Sequence, residues 1–165
     1  MERALGELEI RDVDFADPAH CAGILRVLDT YASDPVGGGK PLGIEVRQRL
    51  VPALREHPAA TVVLAFRDDQ PVGLAICFLA FSTFQARPLL NIHDLAVVPE
   101  RRGQGVGRAL LKAVETRARQ RGCVKLTLEV QENNRRAWDL YRDFGFADFV
   151  IAGSAPTRVL SKSLA

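Results

Sequence analysis

The stretch that most restricts how this chain can fold runs from Asn91 to Arg121, NIHDLAVVPERRGQGVGRALLKAVETRARQR. An apolar strand (Ile92, Leu95, Val97, Val98) passes through a turn dense in glycine and arginine into a long helix whose apolar positions are Val106, Leu110, Leu111 and Val114. Glycines remove Cβ atoms, so the backbone N–H groups of the turn can close around an anion. The first turn of the helix adds amides without intrahelical partners and a partial positive charge. The unit is therefore suited to hold a phosphate, with Arg102 and Arg108 as countercharge.

Two common phosphate motifs do not fit. A P-loop requires Gly-x-x-x-x-Gly-Lys-[Ser/Thr], and a dinucleotide fingerprint requires Gly-x-Gly-x-x-Gly. Here Gly103 and Gly105 are followed by Arg108 where the third glycine belongs. What remains is Arg-x-x-Gly-x-Gly from Arg102 to Gly107, directly after a strand and opening a helix. Preceded by Leu95-Ala96-Val97-Val98-Pro99, it resembles the acyl-CoA signature of the GNAT N-acetyltransferase superfamily. Asn134, Ala137, Leu140, Tyr141 and Gly145-Phe146 resemble that family's second motif block. The resemblance covers Asn91 to Phe146 well and the N-terminal half in outline. It implies acetyl-CoA as co-substrate, held by Leu95, Ala96, Val97, Arg102, Gly103, Gln104, Gly105, Val106, Gly107, Arg108, Asn134 and Tyr141.

With 165 residues the chain is expected to form one domain spanning 1–165. A net charge of +2 gives no strongly basic face, so no nucleic-acid partner is expected. Cys21, Cys77 and Cys123 each lie in or beside an apolar segment, which suggests buried thiols in a reducing compartment. Neither they nor His20, His57 and His93 have the spacing of a metal site. The charged start MERALGELEIRD and the lack of a long apolar run lead us to expect a cytoplasmic protein without a membrane segment.

Alternation at Leu8 and Ile10 predicts a first strand. Asp17-Pro18 is a helix start, and apolar residues from Cys21 to Ala32 carry that helix to about Ser33. The glycine-rich loop Asp34 to Pro41 lacks a preceding strand and reads as a mobile connection, while the resemblance implies a functional rival, a flexible flap over the acceptor site. A second helix is predicted over Ile44–Glu56, kinked or divided at Pro52. Thr61–Phe66 and Val72–Phe81 form a hairpin around Arg67–Pro71, and the central strand Asn91–Val98 follows. Alternation from Val124 to Val130 predicts a strand, Asn133–Phe144 a helix, and Phe146–Ala152 and Thr157–Ser161 two closing strands. The expectation is an α/β, single-domain GNAT-like fold, a mixed central sheet with helices on both faces, in the order β-α-α-β-β-β-α-β-α-β-β.

Acyl transfer to an amine poses three problems. An alkylamine with a pKa of about 10 must lose a proton, which costs on the order of 4 kcal/mol near pH 7. Negative charge on the thioester oxygen needs fixed donors, for which the amides near Ala96 to Val98 are the natural source. The departing thiolate needs an acid. The resemblance assigns that role to Tyr141, although its place on the Ala137, Leu140, Tyr141, Phe144 face also suits a core residue. His93 and Asp94 are the base candidates, and strict strand alternation would let only one of them look into a given pocket. Asn134 has a rival explanation as an N-cap, and Arg117, Arg119 and Arg121 read as surface charge that complements the helix dipole.

The resulting expectation is an acetyl-CoA-dependent N-acetyltransferase acting by direct attack of a primary amine, carried by a small molecule or a peptide. A non-catalytic acyl-CoA-binding module of the same fold is the alternative. A sheet edge or the closing strands offer a route to a homodimer.

Overall fold

The computed structural model describes residues 6–150, 153 and 155–164. Its contacts group into two compact units, one ending at Gln131 and the other beginning at Glu132. The first contains β1 (Leu8–Asp12), α1 (Pro18–Ser33), α2 (Ile44–Glu56), β2 (Ala60–Arg67), β3 (Gln70–Ser82), β4 (Arg87–Val97), α3 (Val106–Gln120) and β5 (Leu126–Leu128). The five strands form one sheet in sequence order. β1 to β4 pair antiparallel, whereas β4 and β5 are parallel, as the intervening helix requires.

Local chemistry sets most boundaries. Asp17 caps α1 by accepting from the Ala19 amide at 2.8 Å, with Pro18 in the first helical position. The β2–β3 hairpin turns through Asp68 and Asp69, both at positive φ (52° and 55°), the backbone that matches the twist of a two-residue hairpin. Of the two outcomes expected at Pro52, division does not occur: α2 runs from Ile44 to Glu56 with the proline inside it.

Helices cover both faces of the sheet. Leu64 and Leu74 are register partners on one face, and there α1 approaches through Gly23, where a Cβ would lie 3.3 Å from Leu64 Cδ1. Ala65 and Gly73 share the other face, and there Val106 and Leu110 of α3 press on Gly73. Ile24, Leu64, Leu74, Ile76, Leu90, Leu110, Leu111 and Val114 are almost wholly buried between these layers. Arg117 and Arg121 are not simply surface charge: Arg117 donates to Asp12 of β1 at 2.6 Å and Arg121 to the Thr61 hydroxyl of β2, so both fasten α3 to the sheet. Arg119 pairs with Glu115 along the helix surface. Of the three thiols only Cys77 is buried; Cys21 and Cys123 are half-buried, and all three are free.

The second unit holds α4 (Arg135–Phe144). The two predicted closing strands are a correction. Ile151 and Ala152 lie outside the described residues; among those described, Val150 forms a single antiparallel bridge with Pro156, and Thr157–Ser161 forms no strand. Phe149, Val159 and Leu160 are exposed, so no buried face rewards pairing, and Pro156 has no N–H to extend a ladder.

Candidate active site

After β4 the chain makes a short 3-10 turn, Pro99–Arg101, and then the glycine turn. Gly103 (φ 73°) and Gly105 (φ 81°) both take left-handed backbone that an L side chain rarely adopts. Gly105 is the N-cap of α3, no side chain caps the helix, and its first turn contains no acidic residue. Gln104 stiffens the turn by donating to the Glu100 carbonyl at 3.0 Å. A Cβ at Gly103 or Gly105 would meet no atom within 4 Å, so open space lies over the turn. Val106 is buried, Gly107 half-buried and Arg108 exposed at the same helix end. The turn thus has the backbone geometry that an anion cradle requires.

Beside it, β4 outruns its parallel neighbour. Pairing with β5 ends at Ile92↔Leu128, while β4 continues to Val97. Val98 N–H donates to Val72 O at 3.0 Å, so in this register the amides of Val98 and Ala96 face β3. The groups of Leu95 and Val97 therefore face the edge that β5 has left. That refines the expected oxyanion donors: the Val98 amide is already engaged, and the Val97 and Leu95 amides are the ones aimed at the opening.

His93 sits at a bulge. Ile76 pairs with Asp94 and Cys77 with Ile92, leaving His93 as the extra residue. Strict alternation fails at that point, and the expectation that only one of His93 and Asp94 can serve a given face fails with it. His93 is exposed and sets its ring edge-on to Phe78 at 5.5 Å, on the face that carries Leu74 and Ile76. Asp94, the partner of Ile76, belongs to that face too and acts electrostatically on Tyr31 of α1. Burial raises the Asp94 carboxyl above the usual carboxylate range, and the neighbouring His93 opposes the shift. Burial, then Asp94 and Asp34, raise the Tyr31 phenol.

Two other acids, Asp29 and Asp34, are engaged internally. Asp29 pairs with Arg47 at 2.9 Å and accepts from Leu42 N–H, while Asp34 pairs with Arg102 at 2.8 Å. Sequence spacing gave no hint of these partners.

In the second unit, Asn134 is the N-cap of α4 and accepts from Ala137 N–H at 3.3 Å. Gly145 (φ 104°) closes the helix, and Phe146 N–H returns to Tyr141 O at 2.9 Å. Tyr141 is 9% exposed and packs edge-on against Phe146 at 5.8 Å. No group of three or more potential metal ligands occurs among the described residues.

A mixed sheet with α1 and α3 on opposite faces, a β4 that runs on past its pairing with β5 and a glycine turn at the head of α3 define the class: an α/β domain of acetyltransferase type. The family model for the acetyltransferase (GNAT) family matches residues 25–146, and the chain belongs to that family. Thialysine N-epsilon-acetyltransferase of Bos taurus is 38% identical over 81 residues, 49% of this chain and 47% of that protein. Streptothricin acetyltransferase of Streptomyces lavendulae is 38% identical over 87 residues, covering 53% and 44% respectively. The matched stretch thus spans about half the length of these curated relatives. Among solved structures, an aminoglycoside acetyltransferase from an uncultured soil metagenomic sample superposes with a TM-score of 0.73 at 20% identity, over 92% of this chain and 97% of that one. At that identity the likeness speaks to the fold.

Proposed function

We propose that the chain, as one acetyltransferase domain, is an acetyl-CoA-dependent enzyme that transfers the acetyl group to a primary amine by direct attack. The observation that carries this reading is the cradle of Gly103, Gly105 and the uncapped head of α3, opening beside the unpaired edge of β4. The residues fit a diphosphate: no side chain caps the first turn of α3, and the open space over the glycine turn leaves room for it. Bound acetyl-CoA would supply the thioester.

The remaining steps belong to the chain. One of two groups, Asp94, raised by burial, or His93 beside it, receives the ammonium proton of the acceptor, directly or through water. The Val97 and Leu95 amides face the oxygen on which negative charge develops. The Tyr141 hydroxyl gives a proton to the departing sulfur, and Asn134 supports the pantetheine arm while capping α4. Because Asp29 and Asp34 are internally paired, Asp94 is the carboxylate we assign to attracting the cationic acceptor. The curated relatives named above are acetyltransferases for thialysine and for streptothricin. A small-molecule amine is accordingly the acceptor class we favour.

Thiol release from acetyl-CoA across a panel of small amines is the direct test, and no turnover with any of them would remove the proposal. Tyr141→Phe keeps the ring that packs on Phe146 but deletes the acid. Turnover should fall by about 10²-fold, the lower range for general acid catalysis, with acetyl-CoA affinity nearly unchanged. Equal turnover in the two proteins would leave Tyr141 as a packing residue.

A further inference from the structure

Arg102 opens the Arg-x-x-Gly-x-Gly motif, yet its guanidinium is turned away from the role its position suggests. Nε donates to the Val97 carbonyl at 2.9 Å, on the edge of β4 that β5 has left, and Nη1 donates to Asp34 Oδ2 at 2.8 Å. Both side chains are largely buried, at 19% and 16% exposure. Asp34 lies 68 residues away, at the C-terminus of α1, and organises the glycine loop that follows. Its second carboxylate oxygen accepts from Val36 N–H at 3.1 Å, and its carbonyl accepts from Gly37 and Gly39 at 2.8 and 3.0 Å. The expected mobile connection is thus a built turn over residues 34–39. On its other side, Gln131, three residues beyond β5, donates to Val36 O at 2.9 Å. The turn is held from the continuation of both strands, past the point where their pairing ends.

We propose that Arg102 is a positioning residue that straps loop 34–39 to the open edge of β4, and not a ligand of the coenzyme diphosphate. The guanidinium charge is already matched by Asp34, so the pair adds little net attraction for an anion. Turning Arg102 towards phosphate would leave the Asp34 carboxylate largely buried with its ion pair broken, the costly way to part a buried couple. The coenzyme's charge falls instead to the turn amides. Arg102 then links two sides of one site, because the atom it holds on β4 belongs to Val97, whose amide faces the reacting oxygen. The consequence for acceptor binding rests on the acetyl-transfer reading; the strap itself does not.

The test compares Arg102→Met, Asp34→Asn and the double variant in the full chain by amide exchange at Val36, Gly37 and Gly39, acetyl-CoA titration, and amine kinetics. Each single variant should speed exchange at these amides at least about tenfold, the equivalent of losing 1.4 kcal/mol of local protection, and the double variant should add little. Acetyl-CoA affinity should stay within about threefold while the amine KM rises, and Arg102→Lys should restore part of the protection. Should Arg102→Met misfold, Asp34→Asn, nearly isosteric and outside the Arg102–Gly107 motif, carries the comparison alone. Unchanged exchange, or a loss of acetyl-CoA affinity in Arg102→Met that Asp34→Asn does not share, overturns the strap. Failure of the parent protein to bind acetyl-CoA would instead remove the functional reading, with the exchange result still deciding the strap.

Discussion

On the α3 face of the sheet, the proposed anion cradle is made by residues that follow one another in sequence: β4 ends, two glycines turn with positive φ, and a helix begins. On the α1 face, the groups assigned to the acceptor are collected from afar, by a bulge at His93, by Arg102 reaching Asp34 and by Gln131 reaching Val36 across 95 residues. The difference teaches that one half of this site is a local backbone conformation and the other a set of tertiary bonds. Substitutions should therefore damage the two halves in different currencies, coenzyme affinity on one side and loop order or proton placement on the other.

The largest effect is expected at Gly105. Gly105→Glu forces a side chain into left-handed backbone at φ 81° and sets a carboxylate at the mouth of an anion site. Acetyl-CoA affinity should fall by at least about 10²-fold, since the charge repels the diphosphate where the native turn attracts it. Folding should suffer far less, by about 1–2 kcal/mol of backbone strain, because a Cβ there meets no neighbouring atom. Calorimetric titration beside a melting curve separates the two. A loss of stability that accounts for the whole loss of binding would make Gly105 a folding residue and erase the contrast between the faces.

A smaller effect should appear where each helix touches the sheet through a glycine. At Gly73 a Cβ would lie 2.9 Å from Val106 Cγ1 and 3.0 Å from Leu110 Cδ1, directly under the start of α3. Gly73→Ala should cost about 1–3 kcal/mol by overpacking. Gly23→Ala crowds Pro71 at 3.0 Å on the opposite face, but it sits inside α1, where alanine regains about 1 kcal/mol of helix propensity. Denaturant melts should rank Gly73→Ala below Gly23→Ala in stability, and the reverse order would mean that α3 yields more easily than α1.

The same contrast explains what could be seen in the sequence. The glycine turn into α3, the Asp17 and Asn134 caps and the strand order through α4 were legible because each follows from neighbouring residues. The bulge was not: His93 carries no glycine or proline to mark a break in alternation, and only the register of β3 against β4 reveals it. The partners of Arg102, Arg117 and Arg121 were hidden for a related reason, since a cation's sequence position says nothing of which distant carboxylate or hydroxyl the fold brings beside it. The closing strands failed in the opposite sense. The apolar stretches Phe146–Ala152 and Thr157–Ser161 read as strands, but such a segment forms a ladder only where another element covers one face.

The smallest effect, and the most specific to the α1 face, concerns Asp94. Its carboxyl holds its proton to higher pH in the folded chain than in the unfolded one, chiefly because it is buried, with His93 opposing the shift. The sign follows from linkage. Between the ordinary carboxylate value, about 4, and the raised native value, the folded state binds more protons than the unfolded state, so stability contributed by this group is complete below that window and is lost as pH rises through it. Asp94→Asn removes the charge that burial disfavours. At neutral pH the variant should melt higher than the parent, by no more than about a few degrees, and the difference should vanish on acidification to about pH 3. A variant that melts lower at neutral pH would mean that Asp94 is held by a stabilising native ion pair, leaving it unfit to greet an incoming ammonium. A gain in stability joined to a loss of kcat/KM would instead identify the buried carboxylate as a group kept for proton transfer at the expense of the fold.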